Sequence, residues 1–275
     1  TALALLSHPR RGMPWSELVD RASKFSTVLA SLGAHISKSA VTPTGALRSE
    51  AIRESAQMFA DADLVEVHTP LGEGAKEKRS RSIEDESILT PVEKRRLVLD
   101  TTKNIIVHFF VERALVAVAA LVPPGPPVAG ATVRERVQTL SRLFKYEFRF
   151  RADAPFDAIF DETVAAMQES GAIARDPGGD IVCGPGANGA SGRDWLELYA
   201  SVVTNFLEGY RVAARGLGAL LKADATPKDL TKKCLAVGNR MFFAGEISRK
   251  EAVSKPLVEN ALTAFVDQGY LLKNE

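Results

Sequence analysis

An apolar run between residues 97 and 121 constrains the fold of this chain more than any other feature. A polar residue occurs every four positions from just before the run to its middle: Arg96, Asp100, Asn104, His108 and Glu112. On a helix, such a spacing forms one slowly turning stripe. Because a buried polar group is costly without a partner, this stripe indicates contact with something polar. Either packed helices satisfy it through hydrogen bonds, or it faces a substrate groove or a neighbouring domain.

Asp100, Asn104 and His108 are therefore candidate binding or interface residues. Asp100 is too far along a helix to reach His108, but Asn104 is spaced to contact both. A helix start is predicted at Thr90, because Thr90 and Glu93 match a capping box with Pro91 at the first helical position. We expect a break near residues 111–113 and an end at Val122, where a proline-rich segment begins.

Helix signals dominate elsewhere. Pro14 and Gly33 bracket a helix over residues 15–32, and a further helix is expected over residues 132–148. A single helix of roughly 40 Å is expected from residue 192 or 194 onward. Capped helix starts are also predicted at residues 226–229 and 248–251.

One local pattern occurs three times, at residues 51–68, 156–183 and 256–272. In each copy a helix leads through a small or glycine turn into a short extended piece. This arrangement is typical of a winged-helix unit. The sequence therefore predicts a mostly α fold, a helical bundle with short β-hairpin (winged-helix-like) elements.

Composition and the positions of glycine, proline and charged residues suggest five segments. They are a helical winged-helix-like subdomain at 1-72, a charged loop at 73-87, apolar helices at 88-150, a helix with a hairpin and a glycine-rich loop at 151-192, and a long helix with a C-terminal winged-helix-like subdomain at 193-275.

Charge and motifs exclude several functions. The chain has 35 Lys and Arg against 34 Asp and Glu, so no overall field attracts nucleic acid. Cys183 and Cys234 cannot form a disulfide framework, which favours a reducing compartment. Neither cysteine has a histidine or second cysteine nearby in the sequence, so no metal site is expected. The GxGxxG match at residues 184–189 precedes a long helix rather than a second strand, which favours a loop over a dinucleotide site.

Five collinear blocks resemble the membrane-associated glycerol-3-phosphate acyltransferases of bacteria. They are the opening TALALLSHPRRGMPWSEL, then KNIIVHFF from Lys103, LFKYEFRF from Leu143, NFLEGY from Asn205 and SKPLVENAL from Ser254. The resemblance implies acyl transfer from acyl-CoA or acyl carrier protein to the first hydroxyl of glycerol 3-phosphate, without a cofactor or metal. It also implies a peripheral location on the cytoplasmic face of the bacterial inner membrane, with contact to the membrane surface left open.

That family's catalytic signature is a histidine followed five positions later by aspartate. Here the four histidines, His8, His35, His68 and His108, are followed at that distance by Met13, Ala40, Glu73 and Arg113. No catalytic residue is therefore assigned, and the chain is interpreted as the C-terminal region of such an enzyme, beginning after its catalytic domain. That upstream domain is the expected partner, and acyl-CoA or acyl carrier protein would bind through it.

Two alternatives remain at this point. The helix–turn–strand pattern is also compatible with a winged-helix protein that binds nucleic acid, although the candidate helices are acidic or mixed in charge, and no nucleic-acid partner is expected. An interaction scaffold unrelated to lipid synthesis is the second alternative.

Overall fold

The computed structural model describes residues 1–69, 82–221 and 224–272. It confirms the prediction of a mostly α fold with short β-hairpin elements: most elements are helices, and the strands form small antiparallel sheets. In the described residues the α-helices are α1 Ala2–Ser7, α2 Trp15–Ser31, α3 Ser49–Asp61, α4 Arg96–Val107, α5 Val111–Leu121, α6 Gly130–Leu143, α7 Phe156–Glu169, α8 Gly192–Val202, α9 Thr204–Gly216, α10 Pro227–Phe243 and α11 Lys255–Asp267.

The strands form two sheets. They are β1 Met13–Pro14, β2 Val65–His68, β3 Ile88–Pro91, β4 Ile173–Arg175 and β5 Ile181–Cys183. The first sheet has the order β1-β3-β2 with antiparallel pairing, and the second is the β4–β5 hairpin. In the first sheet β3 is central, and Leu89 within it is fully buried.

The chain divides into two compact units, Thr1–Phe109 and Phe110–Glu275. In the first unit, α1 is buried along its whole length and packs against α2 and α4. Six consecutive buried residues show that α1 is a core helix rather than an amphipathic surface helix. α2 contributes Leu18, Phe25 and Val28 to the same core.

In the second unit, α5 is the central helix. It packs against α6, α7 and α8, and eight of its eleven residues are buried. Alanines at four of these positions allow the neighbouring helices to approach closely. Next to this group, α9 packs against α10 and α11. Tyr210 of α9 also makes a T-shaped ring contact with Phe144, which directly follows α6, at a centroid distance of 4.8 Å.

Several predicted boundaries are confirmed. α2 ends where Gly33 adopts a φ of 69°, a conformation that glycine tolerates best. α10 begins with Thr226, whose hydroxyl accepts a hydrogen bond from the Asp229 amide, followed by Pro227. The helix–turn–strand pattern occurs at α3–β2 and at α7–β4–β5. The third copy has a turn after α11 and no strand within the described residues up to 272.

Four predicted helix boundaries are wrong. The helix expected over residues 132–148 ends at Leu143 and is followed by a short 3-10 turn. Thr90 and Pro91 belong to β3, because their pairing with Glu66 and Val65 of β2 overrides the local capping signal. α4 begins only at Arg96. The expected 40 Å helix is interrupted at Val203, which separates α8 from α9. The expected start at residues 248–251 is a short 3-10 turn, and α11 begins at Lys255.

The five-segment division stays a prediction. β3 lies in the predicted segment 88-150 and pairs with β1 and β2 of the segment 1-72, so one sheet contains strands from two of the predicted segments. Most of the predicted charged loop, residues 73–81, lies outside the described residues.

The glycine-rich segment has a packing role. A Cβ at Gly184 would lie 2.3 Å from the Gly171 carbonyl oxygen, and a Cβ at Gly192 would lie 2.4 Å from that of Gly184. These close approaches join the β4–β5 hairpin to the start of α8, where Ser191 and Asp194 form a capping box. The GxGxxG match is therefore explained by backbone packing, and no strand–helix–strand unit surrounds it in the described part of the chain.

Candidate functional site

The predicted stripe crosses from the buried side of α4 to its exposed side: Arg96 is buried, Asp100 is half-buried, and Asn104 is exposed. Counting 100° per residue, the exposed positions form a continuous arc on one side of this helix. Those positions are Leu97, Val98, Thr101, Thr102, Asn104 and Ile105, with His108 following the helix end. We call these seven residues the α4 outer face. Leu99, Lys103 and Val107 occupy the opposite, buried side.

Two of the three predicted residues are in contact. The Asn104 side-chain amide donates a hydrogen bond to Asp100 Oδ2 at 3.3 Å. Asp100 Oδ1 lies 2.8 Å from Lys103 Nζ, and the Lys103 side chain is only 3% exposed. The buried ammonium thus has a carboxylate beside it, which buried charges require. Asp100 therefore connects the buried side of α4 to its exposed edge.

His108 does not join this network. Its ring is exposed and packs against the Phe109 ring at a centroid distance of 4.1 Å. In the described residues no hydrogen bond links it to Asn104, so the expected Asp100–Asn104–His108 series stops at Asn104. An exposed imidazole with no carboxylate to orient it is suited to surface contact rather than to general base catalysis.

The α4 outer face is unusually apolar for an exposed surface. Ile105 is 68% exposed, Leu97 52% and Val98 50%. Asn104 and Thr102 lie at the two edges of this arc, and Thr101, between Leu97 and Ile105, donates its hydroxyl to the Leu97 carbonyl. Clustered apolar side chains with a polar border are typical of a protein-binding surface.

The break after α4 is confirmed, three residues earlier than expected. The helix stops at Val107, residues 108–110 form a turn, and α5 begins at Val111. No single helix in the described part of the chain is long and apolar enough to cross a membrane. Glu93–Val107 and Val111–Leu121 reach that length and composition only when taken together across this break.

A histidine–carboxylate pair in the first unit was missed by sequence reasoning. His8 is buried, and its Nδ1 lies 3.0 Å from Glu17 Oε1. Burial lowers the pKa of His8, while the Glu17 charge acts in the opposite direction. Because α1 and α2 bring together residues nine positions apart, no fixed motif spacing could have revealed this pair.

A second missed cluster lies between the end of α6, α9 and α11. The Tyr210 hydroxyl donates to Glu147 Oε1 at 3.3 Å, and Asn260 provides another neutral neighbour. Burial raises the pKa of Glu147 to about 7. This carboxyl group is therefore held by neutral hydrogen-bond donors rather than by a cation.

The described residues contain no group of three or more His, Cys, Asp or Glu side chains placed to hold a metal ion. Cys183 is half-buried and Cys234 is buried against Gly216. Burial raises the pKa of the Cys234 thiol, which favours its unreactive protonated form.

Comparison with known proteins identifies the family. A family model described as the glycerol-3-phosphate acyltransferase C-terminal region matches residues 1–274, nearly the entire chain. A search of curated proteins gave no match. The family match confirms the resemblance carried by the five sequence blocks and relates the chain to acyltransferases of phospholipid synthesis.

Proposed function

Because the chain belongs to the family of glycerol-3-phosphate acyltransferase C-terminal regions, we propose that it is a non-catalytic region that packs on and supports a catalytic acyltransferase domain. That domain would transfer an acyl group from acyl-CoA or acyl carrier protein to sn-glycerol 3-phosphate. We further propose that the enzyme acts peripherally at the cytoplasmic face of a bacterial inner membrane.

One observation carries the non-catalytic role. The family match extends over residues 1–274, yet none of the four histidines is followed five positions later by aspartate. His8 is buried against Glu17, and His108 is exposed without an orienting carboxylate in the described residues. Neither arrangement supplies an accessible, oriented general base for a hydroxyl group.

The α4 outer face is the surface we assign to the catalytic domain. Docking would bury its three exposed aliphatic side chains, and each adds more to the binding free energy when it is fully removed from water. Asn104 and His108 would supply hydrogen bonds at the border. This assignment retains the interface role predicted for Asp100, Asn104 and His108 and places Asp100 behind Asn104 as its support.

The first experiment tests the non-catalytic role. The purified chain of residues 1–275 should show no acyl transfer from acyl-CoA to glycerol 3-phosphate. Coexpressed with the catalytic domain that precedes it in the gene, it should co-purify and restore stable activity. Turnover by the chain alone, or a gene that encodes no preceding domain, would overturn the proposal.

The second experiment tests the docking surface. Ile105→Glu places a charge at the centre of the α4 outer face and should lower the kcat/KM of the full-length enzyme by about tenfold or more, as expected for an interface hot spot. The Tm of residues 1–275 should stay unchanged, because Ile105 is already solvated.

Met58→Glu is the matched control, since Met58 is 70% exposed on α3 in the same unit. Its full-length activity should equal that of the unsubstituted enzyme. If the two variants behave alike, the α4 outer face is not the docking surface.

A further inference from the structure

A cavity in the second unit belongs to none of the sites described above. Its volume is about 360 Å³, within the range of roughly 300–1,000 Å³ typical of small-molecule sites. It lies between α5, α6 and α7 and is bordered by the irregular segment that contains Phe150 and Ala154. All of these elements belong to one compact unit, so the cavity is complete within it.

Most of the cavity surface is hydrocarbon, although Gln138, Ser141 and Thr163 also line it. Leu115 and Val116 from α5, Val137 from α6 and Phe160 from α7 are each at least 95% buried and line the space. Water in such a space makes few hydrogen bonds, so an apolar ligand gains free energy by displacing it. Since one water occupies about 30 Å³ of liquid and a methylene group is of similar size, the volume fits a chain of about a dozen methylene groups.

The α6–α7 wall is held in place independently of a ligand. Arg134 on α6 forms ion pairs with Asp157 at 2.7 Å and with Asp161 on α7. Its guanidinium carbon also lies 4.5 Å from the centroid of the Phe160 ring. A pre-formed wall lowers the ordering cost of binding, because the side chains are already fixed.

The charged side chains at the border differ in whether they already have partners. Lys145 pairs with Asp267, and Arg151 pairs with Asp153 and with Glu162 at 2.9 Å. In the part of the chain that the structure describes, Arg142 has no such partner, and its guanidinium is exposed. Arg142 is thus the bordering cation that is free to bind an anion.

Among the residues that the structure describes, Glu112 is the one acidic residue that lines the cavity. Burial raises its pKa, while the charges of Arg151 and Arg113 act in the opposite direction. Burial therefore brings the neutral form of Glu112, which does not repel an anion and can donate a hydrogen bond to one, closer to neutral pH than in a solvated glutamate.

We propose that this cavity binds a single hydrocarbon chain carrying an anionic head group, with the chain between α5, α6 and α7 and the head group against Arg142. The site would give a non-catalytic region its own amphiphile-binding function. It does not depend on the docking of a catalytic domain, and so it is tested on residues 1–275 alone.

Calorimetric titration with three twelve-carbon probes tests the head group. Dodecanoate and dodecyl phosphate should bind with one-to-one stoichiometry, below their micellar concentrations. Dodecanol should bind about fivefold more weakly, the factor that an exposed charge interaction of up to about 1 kcal/mol provides. A preference for either anion identifies the head group, whereas equal binding of dodecanol, or no saturable binding, would refute the proposal.

Paired variants then locate the site. Arg142→Gln should weaken dodecanoate about fivefold and leave dodecanol unchanged, while Arg149→Gln, an exposed arginine outside the cavity lining, should alter neither. Ala154→Trp should fill the cavity and weaken all three probes about tenfold or more, the effect of losing roughly 1.4 kcal/mol of apolar contact.

Ala152→Trp is the matched control for cavity filling, because Ala152 is exposed in the same segment and does not line the cavity. Circular dichroism will confirm that each variant is folded. Equal affinities for the Ala154→Trp and Ala152→Trp variants would show that the probes bind elsewhere and would overturn the assignment.

Discussion

α4 and α5 come from one apolar run of sequence but occupy opposite kinds of environment. α4 exposes Leu97, Val98 and Ile105 to solvent, whereas α5 is buried on almost every side by α6, α7 and α8. Apolar composition alone did not distinguish them. The difference lies in the side chains between the apolar ones: α4 carries threonines and Asn104 on one face, and α5 carries small alanines all around.

The two helices also hold their charges differently. On α4 the buried Lys103 is matched by Asp100 at 2.8 Å. On α5 no ion pair is formed by Glu112 or Arg113 in the described residues, and Arg113 Nη1 is buried without a hydrogen-bond partner. Glu147 in the same unit likewise has only neutral hydrogen-bond partners. α4 therefore holds a matched pair, whereas burial raises the pKa of two half-buried carboxyl groups of the second unit, Glu112 and Glu147.

The largest expected effect tests the difference in burial. Leu115→Ala on α5 removes a side chain that is 1% exposed and should lower the free energy of unfolding by about 2–4 kcal/mol. Leu97→Ala on α4 should change it by less than about 0.5 kcal/mol, because that side chain is half solvated. Urea denaturation of both variants measures the difference. Similar losses would mean that α4 is covered in solution.

The next effect concerns the matched pair on α4. Lys103→Ala should destabilise the chain by about 2–3 kcal/mol, because it removes the cation next to a largely buried carboxylate. The double variant Asp100→Leu with Lys103→Met should lose less, since it removes both charges of the pair together. A double variant less stable than Lys103→Ala would show that the pair itself, rather than charge matching, holds the helix.

A smaller effect is expected at Glu147, where substitution should stabilise the chain rather than destabilise it. Its pKa of about 7 in the folded state lies above the ordinary value of 4.5, so the folded state holds the proton more tightly. Stability should therefore fall as the pH rises from 4.5 to 7, and the loss should be complete above pH 7. Glu147→Gln should remove this dependence and stabilise the chain at pH 8 by roughly 1–2 kcal/mol, discounted for partial solvation.

Denaturation at several pH values between 4 and 8 measures this slope, and the Tyr210 hydrogen bond can persist because the glutamine oxygen also accepts it. An unchanged slope in the variant would assign the pH dependence to another group.

The smallest effect compares neutralisation on the two helices. Glu112→Gln on α5 should raise the Tm at neutral pH, because burial raises the pKa of Glu112 and so disfavours its charged form. Asp100→Asn on α4 should lower the Tm, because Lys103 loses its charged partner. Calorimetry at pH 7 gives both signs, and the same sign for both variants would refute the contrast between the two helices.

Local signals predicted local structure well. The proline and threonine at the start of α10 and the stop at Gly33 each depend on neighbours within a few residues. The capping box at Thr90 failed because its competitor was not local. β3 pairs with a strand at least twenty residues away on one side and with one more than seventy residues away on the other.

The candidate site was predicted in part. Its four-residue spacing correctly placed Asp100 and Asn104 in contact, since helix geometry alone determines that distance. It did not predict the ion pair between Asp100 and Lys103, nor that His108 makes no hydrogen bond with Asn104 in the described residues. Neither the His8–Glu17 pair nor the cavity between α5, α6 and α7 leaves a pattern in the sequence, because each brings together separate elements.

The family, the helical class and the lack of a histidine–aspartate signature can all be read from residue order. Tertiary structure alone decided which half of the apolar run is exposed, which buried charges are paired and where a hydrocarbon cavity forms. The physical reason is that burial and pairing depend on neighbours supplied by distant elements, whereas helix propensity and motif spacing depend only on the adjacent chain.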